Sequence, residues 1–343
     1  MRITRDTLLK VARETTSLRV QQDRSIVTVY LIGSLLTEQP LLGGTTDIDL
    51  VMIHSEPPEM EREIVRMSDE VHLDIAHYSQ ADFEQPRLLR VNPWLGPSIN
   101  HHPLLLHDTQ HWFEFTQASA GSQFDRPDYI LGRARPFAQS ARETWLRLHA
   151  AYATGPGGMT LCETVRLYLQ ALADATNAIA SLAGAPLVER RFLLGFPERS
   201  RQVGQAGLDV ALLALIGDQL EGPEPIQAWL PDWAAAFGAA GALEGSPAKL
   251  CAPRLLYYQQ AILALAGSDQ PWTALWPLLT TWTSAACCFA EEAPQRQAWQ
   301  GAIEQLNLGA ENIPERLMGL DAYLDRVEEA LDNWAHENGV FES

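Results

Sequence analysis

The chain has 343 residues, 46% of them hydrophobic, with 21 Pro and 23 Gly, which is ordinary globular material of a length that favours two domains. Its formal charge is −18, from 43 acidic against 25 basic residues, and so acidic a chain repels nucleic acid, because basic side chains that neutralise phosphates supply most non-specific affinity. No apolar run is long enough to cross a bilayer and no apolar signal segment follows the charged start Met1-Arg2-Ile3-Thr4-Arg5-Asp6, so the expectation is a cytoplasmic protein without nucleic-acid or membrane partners.

From Thr4 to Val20, Leu8, Leu9, Val11, Ala12 and Leu18 recur among charges, the pattern of an amphipathic helix that packs on a sheet. Val27, Val29, Tyr30, Leu31 and Ile32 follow as a buried strand that stops at Gly33-Ser34. Gly33 has no Cβ and lets another backbone or a phosphate come close. Ser34 adds a hydroxyl and a backbone N–H beside an expected helix start, where anions are favoured. A turn of Gly43, Gly44, Thr45 and Thr46 then launches a second strand over 47–53, Asp-Ile-Asp-Leu-Val-Met-Ile. Residues two apart on a strand face the same way, so Asp47 and Asp49 project together. Two adjacent carboxylates repel unless a cation joins them, and hard divalent ions such as Mg²⁺ take such oxygen ligands. Pro57-Pro58 introduces a charged segment, Glu59 to Met67, expected to be helical. A third carboxylate, Asp74, interrupts the strand-like Val71-His72-Leu73-Asp74-Ile75-Ala76, which is expected beside the Asp47/Asp49 strand. Ser79 suits the N-cap of a short helix, Pro93, Gly96 and Pro97 break the chain, and residues 103–107 read as one more short strand. His101, His102, His107 and His111 lie in a loop-like stretch without an acidic companion motif, and are expected to be structural or solvated rather than zinc ligands.

From about Tyr129 strand signals vanish and helical apolar faces recur between Gly and Pro. Helices are expected near residues 131–153, 161–182, 208–220, 226–237, 253–266, 272–290, 295–306 and 314–336, with a loop over 154–158. Trp229, Trp233, Trp272, Trp276, Trp282 and Trp299 fit helix packing. The four cysteines, Cys162, Cys251, Cys287 and Cys288, have no zinc or CxxC spacing and are expected to be small reduced thiols. The fold class is therefore α+β: a small mixed-sheet domain over residues 1–128, then an all-α domain over 129–343.

Gly33-Ser34, then Asp47-Ile48-Asp49-Leu50, then Leu73-Asp74-Ile75 resemble, in order and roughly in spacing, the nucleotidyltransferases of the DNA polymerase β superfamily. The resemblance covers about the first third of the chain. A catalytic domain followed by helices looks most like the antibiotic nucleotidyltransferases of the kanamycin type. It implies Mg²⁺ held by Asp47, Asp49 and Asp74, with Gly33 and Ser34 binding the phosphates of ATP or another NTP. It also implies transfer of a nucleoside monophosphate to a hydroxyl of a small-molecule acceptor such as an aminoglycoside-like antibiotic. In the family a strand with a following Asp, here Asp108, closes the catalytic domain, and the helical domain faces the active site and supplies a base and cations. Glu143 with Arg142 or Arg147 stands where these would come from, although a surface pair of Glu143 with Arg147 explains the same residues. Leu35, Leu36, Thr37 and Glu38 stand where many relatives carry Arg or Lys. Two further readings remain open: a nucleotide sensor or protein-binding module without turnover, and an enzyme that adenylates a protein.

Overall fold

The computed structural model describes residues 3–153, 158–217 and 222–341. The chain divides into two compact units, Met1–Tyr129 and Ile130–Ser343. The first begins with α1 (Arg5–Gln22), whose Thr4 cap exchanges hydrogen bonds with Thr7 and so satisfies amides of the first turn. Leu8, Ala12 and Thr16, spaced four apart, form its buried stripe. β1 (Ile26–Ile32) and β2 (Thr46–His54) pair antiparallel. Before β2, Leu42 and Thr45 exchange backbone hydrogen bonds around Gly43 and Gly44, which sit at φ 62° and 78°. Two positive-φ residues in a two-residue turn are what glycine allows at no steric cost.

After β2 the chain runs back as β3 (Arg62–Arg66), then returns as β4 (Val71–Ser79), which inserts between β3 and β2. β4 pairs antiparallel with β3 and parallel with β2. This corrects the helix expected over Glu59 to Met67. The charges there suit a helix surface, but Ile64 and Val65 are β-branched and β4 offers a pairing edge. A helix of that length gains little by itself. Next, Ser79 caps a 3-10 turn at Gln80–Phe83 through Asp82, as its sequence suggested. Two short helices follow, α2 (Pro86–Val91) and α3 (Leu95–Asn100), with Pro93 in the break between them and Gly96-Pro97 inside the first turn of α3. β5 (Leu104–Asp108) then closes the sheet on β1, giving the order β3-β4-β2-β1-β5. α4 (Trp112–Gly121), a stretch without an expected helix, completes the unit.

Alternation along the strands makes two cores. Leu8 and Ala12 of α1 pack with Val29, Leu31, Ile48, Leu50, Met52, Leu73 and Ile75. On the other face Tyr30, Val51 and Ile53 pack with Phe83, Leu89, Ile99, Phe113 and Ala120. That second core takes up the C-terminal half of β2. Asp47 and Asp49 share its face by parity, at the strand's beginning.

The second unit is helical, with no strand among the described residues. Its helices are α5 (Pro127–Ala153), α6 (Leu161–Ala180), α7 (Phe192–Gln202), α8 (Leu208–Gly217), α9 (Glu224–Gly241), α10 (Arg254–Ala266), α11 (Leu275–Ala286), α12 (Pro294–Gln305) and α13 (Ile313–Glu337). All eight expected helices occur, and α7, with Gly195 and Pro197 in its sequence, is the one they omitted. The expected loop residues 154–157 and the end of the 208–220 helix, residues 218–220, lie outside the described residues, as do Met1 and Arg2. Trp233, Trp282 and Trp299 are fully buried, and the indoles of Trp233 and Trp299 donate to Thr281 and Thr283 of α11. The cysteine expectation is corrected for one pair. Cys162 of α6 and Cys287 at the end of α11 form a disulfide, with Cα atoms 5.6 Å apart. Their separation of 125 residues leaves no signal in local spacing. Cys251 and Cys288 are free thiols.

Candidate metal centre

The site is assembled where β1 ends and β2 begins. Gly33 follows the last residue of β1 at φ 81°, ψ −160°, a region reserved in practice for glycine. The carboxylate of Asp49 fills the space that a Cβ there would need, with Cγ 2.8 Å from that position. Ile32 pairs with Asp49 across β1 and β2, so the sheet register itself brings the glycine turn against this carboxylate. Ser34 opens a single 3-10 turn, Ser34–Leu36, and its Oγ lies 3.4 Å from Oγ1 of buried Thr46.

In the parallel β2–β4 pair, Asp47 is level with His72 and Asp49 with Asp74. Level residues of neighbouring strands face the same side, so four polar side chains share one patch of the sheet. Asp47, His72 and Asp74 are 7%, 2% and 4% exposed, whereas Asp49 is half-buried. One ligand atom from each of Asp47, His72 and Asp74 can be chosen so that all lie within 4.8 Å of one another. Among the described residues this is the one such group of three. Asp49, expected with the other two carboxylates, stands beside them against the Gly33 turn.

Arg62 completes the patch from the edge strand. Its Nε donates to Asp74 Oδ1 at 2.7 Å and its Nη2 donates to Oδ2 at 2.6 Å, a bidentate clamp from a half-exposed guanidinium. A carboxylate as buried as Asp74 would be costly without such a partner. His72 and Arg62 are the functional candidates that sequence reasoning missed. His72 was within reach, because it sits two residues before Asp74 on the same strand and therefore faces the same way. Arg62 was not, since it belongs to a segment read as helix.

The remaining sequence candidates lie elsewhere. Asp108 accepts from Thr28 Oγ1 at 2.9 Å and from the Phe113 amide at 3.0 Å, tying β5 to β1 and to the start of α4. His107 lies 3.2 Å from Thr109, His111 pairs with Glu114 at 2.9 Å, and His101 packs edge-on against Phe124. In the helical unit Glu143 is exposed and accepts from Gln139. Arg142 donates to Asp321, Asp325 and Glu328, which line one face of α13. These hydrogen bonds push its pKa still further up, so this guanidinium serves as a tie between α5 and α13.

Two buried carboxylates, a third at their side and an imidazole make a donor set suited to a divalent cation, and the absence of a Cβ at Gly33 makes room for the Asp49 carboxylate. No protein-family model matches the chain, and no curated protein matches it.

Proposed function

We propose that the chain transfers a nucleoside monophosphate from ATP or another NTP to a hydroxyl of a small-molecule acceptor, in a metal-dependent reaction at the β1–β2–β4 patch. The observation that carries this reading is the register of β2 and β4, which sets Asp47, Asp49 and Asp74 on one face beside the Gly33-Ser34 turn. In the reaction the acceptor oxygen bonds to the α-phosphorus, the bond from that phosphorus to the bridging oxygen breaks, and pyrophosphate leaves. Asp47 and Asp74, with Asp49 next to them, would hold a divalent ion, which would neutralise charge on the triphosphate.

The chain's own residues divide the remaining work. The Gly33 backbone and the Ser34 hydroxyl receive the terminal phosphates. Asp74, whose two oxygens accept from Arg62, is held in place and serves to orient the acceptor. Asp49, the more exposed carboxylate, would stand as a further oxygen ligand of the ion. Positioning and charge neutralisation account for most of the rate effect, as in phosphoryl transfer generally.

The test incubates the full chain with α-labelled NTPs and Mg²⁺ or Mn²⁺ against aminoglycosides, lincosamides and proteins. Label is expected on a small acceptor, and Asp49→Asn is expected to abolish the transfer with an unchanged circular dichroism spectrum. Undiminished transfer in Asp49→Asn would remove the carboxylates from the mechanism. Label appearing on protein alone would change the acceptor class, and nucleotide binding without transfer across the panel would replace the enzyme by a nucleotide sensor.

A further inference from the structure

The patch that the proposed reaction uses contains a ligand type that reaction does not require. We infer that His72 is a nitrogen ligand of the metal, and that it makes the site select a first-row transition ion over Mg²⁺. The inference rests on the metal-binding part of the proposed function and not on the transfer chemistry.

Three observations lead there. The first is the donor set: the residues that approach one another are Asp47, His72 and Asp74, two oxygens and one imidazole. Mg²⁺ takes oxygen ligands in near-ideal octahedra and gives up its waters reluctantly. Imidazole suits the borderline ions, and affinity for a nitrogen-containing site rises along the first row from Mn²⁺ towards Cu²⁺. The second is burial. All three side chains are less than a tenth exposed, so a bound ion must exchange much of its water for protein atoms, which is the exchange Mg²⁺ resists most. Oxygen and nitrogen ligands at about 2.1 Å from a tetrahedral ion lie roughly 3.4 Å from one another. The three atoms lie within 4.8 Å of one another, near that spacing.

The third is charge. Arg62 clamps both oxygens of Asp74 and offsets one negative charge of the patch. A site that holds its ion by charge alone, as Mg²⁺ sites do, is weakened by a fixed cation at one ligand. A site that holds its ion partly through an imidazole bond is weakened less. The same clamp gives the carboxylate ligand the outer hydrogen bonds that orient such ligands in metal sites. β2 and β4 impose the geometry, since Asp47 and His72 are level and Asp74 lies two residues further along the same face.

The test uses the full chain stripped of metal with a chelator. Mn²⁺ binding is followed by loss of the free-ion electron paramagnetic resonance signal, and Mg²⁺ binding by competition against it. Mn²⁺ stands lowest in the first-row order, so it is expected to bind more tightly than Mg²⁺ by a few-fold, and Co²⁺, read by displacement of Mn²⁺, by about tenfold or more. His72→Gln replaces the nitrogen by an amide oxygen. It is expected to weaken Co²⁺ by about tenfold or more, to weaken Mn²⁺ measurably, and to leave Mg²⁺ within a few-fold of its wild-type affinity. Pulsed resonance on the Mn²⁺-loaded wild type is expected to show directly bound nitrogen, a measurement that needs no variant to fold. Absence of that nitrogen coupling, or equal Mn²⁺ affinities of a folded His72→Gln and the wild type, would overturn the inference. Nitrogen-bound Mn²⁺ in a protein that transfers no nucleotide would uphold it while the proposed function fails. Transfer supported by Mg²⁺ with no nitrogen coupling to Mn²⁺ would do the reverse.

Discussion

Gly33→Ala adds one methyl group at the centre of the candidate site, and its consequences follow from two features of the structure. The backbone at φ 81°, ψ −160° costs a residue with a Cβ on the order of 1–3 kcal/mol. The new Cβ would also stand 2.8 Å from Asp49 Cγ and 3.2 Å from Asp49 Cβ, so the carboxylate must turn away. An off-rotamer side chain adds on the order of 1 kcal/mol, for a total of about 2–4 kcal/mol. Gly44→Ala is the internal control. Its φ is 78°, and a Cβ there meets no atom within 4 Å, so only the backbone effect of about 1–2 kcal/mol remains. Hydrogen exchange of peptides covering β1 and β2 reports the first unit by itself and measures both variants. Gly33→Ala is expected to lose protection beyond Gly44→Ala and to lose nucleotide transfer, while Gly44→Ala keeps transfer. Equal protection and equal transfer in the two variants would refute the close packing of the Gly33 turn on Asp49.

Arg62→Gln removes a charged clamp from a buried carboxylate. The half-exposed guanidinium limits the expected loss to about 1–3 kcal/mol by denaturant unfolding, with a smaller loss in an Asp74→Asn background; equal losses in both backgrounds would mean no coupling. On the α1 side of the sheet, His54 Nε2 and His77 Nδ1 lie 2.9 Å apart, with Asp23 and Ser25 at His54, and Glu63 and its partner Arg19 at His77. Burial holds both imidazoles below their ordinary pKa of 6.5, against the pull of Asp23 and Glu63. The unfolded chain therefore takes up protons first, so stability is full above pH 6.5 and falls below it, down to the lowered folded-state values. Thermal unfolding between pH 8 and 5 should show that decline, and a His54→Gln/His77→Gln double variant should flatten it; an unchanged slope would rule out the pair as its source. Reduction of Cys162–Cys287 opens a covalent loop spanning 125 residues, and chain entropy sets the expected loss at about 2–5 kcal/mol. A midpoint of the helical unit unmoved by a reductant that demonstrably frees both thiols would contradict it.

What was legible in the chain was whatever a local pattern can encode. Val27 to Ile32 reads as a buried strand and 47–53 as a second because apolar and β-branched residues persist over a strand's length, and each is a strand in the fold. Period-2 alternation alone put Asp47 and Asp49 on one face. Helical periodicity located eight helices of the second unit, because each buries a stripe that recurs every three to four residues. The tertiary structure decided what depends on partners distant in sequence. Residues 62–66 became a strand because β4 supplies hydrogen bonds that their charges do not predict. Cys162 found Cys287 because α6 and α11 bring them together. The composition of the site was decided in the same way. The parallel register of β2 and β4 sets Asp47 level with His72, so an imidazole joins the carboxylates, while Asp49 is drawn against Gly33 by the end of β1. Alternation states which way a side chain faces. Only the pairing of strands states which side chain stands beside it.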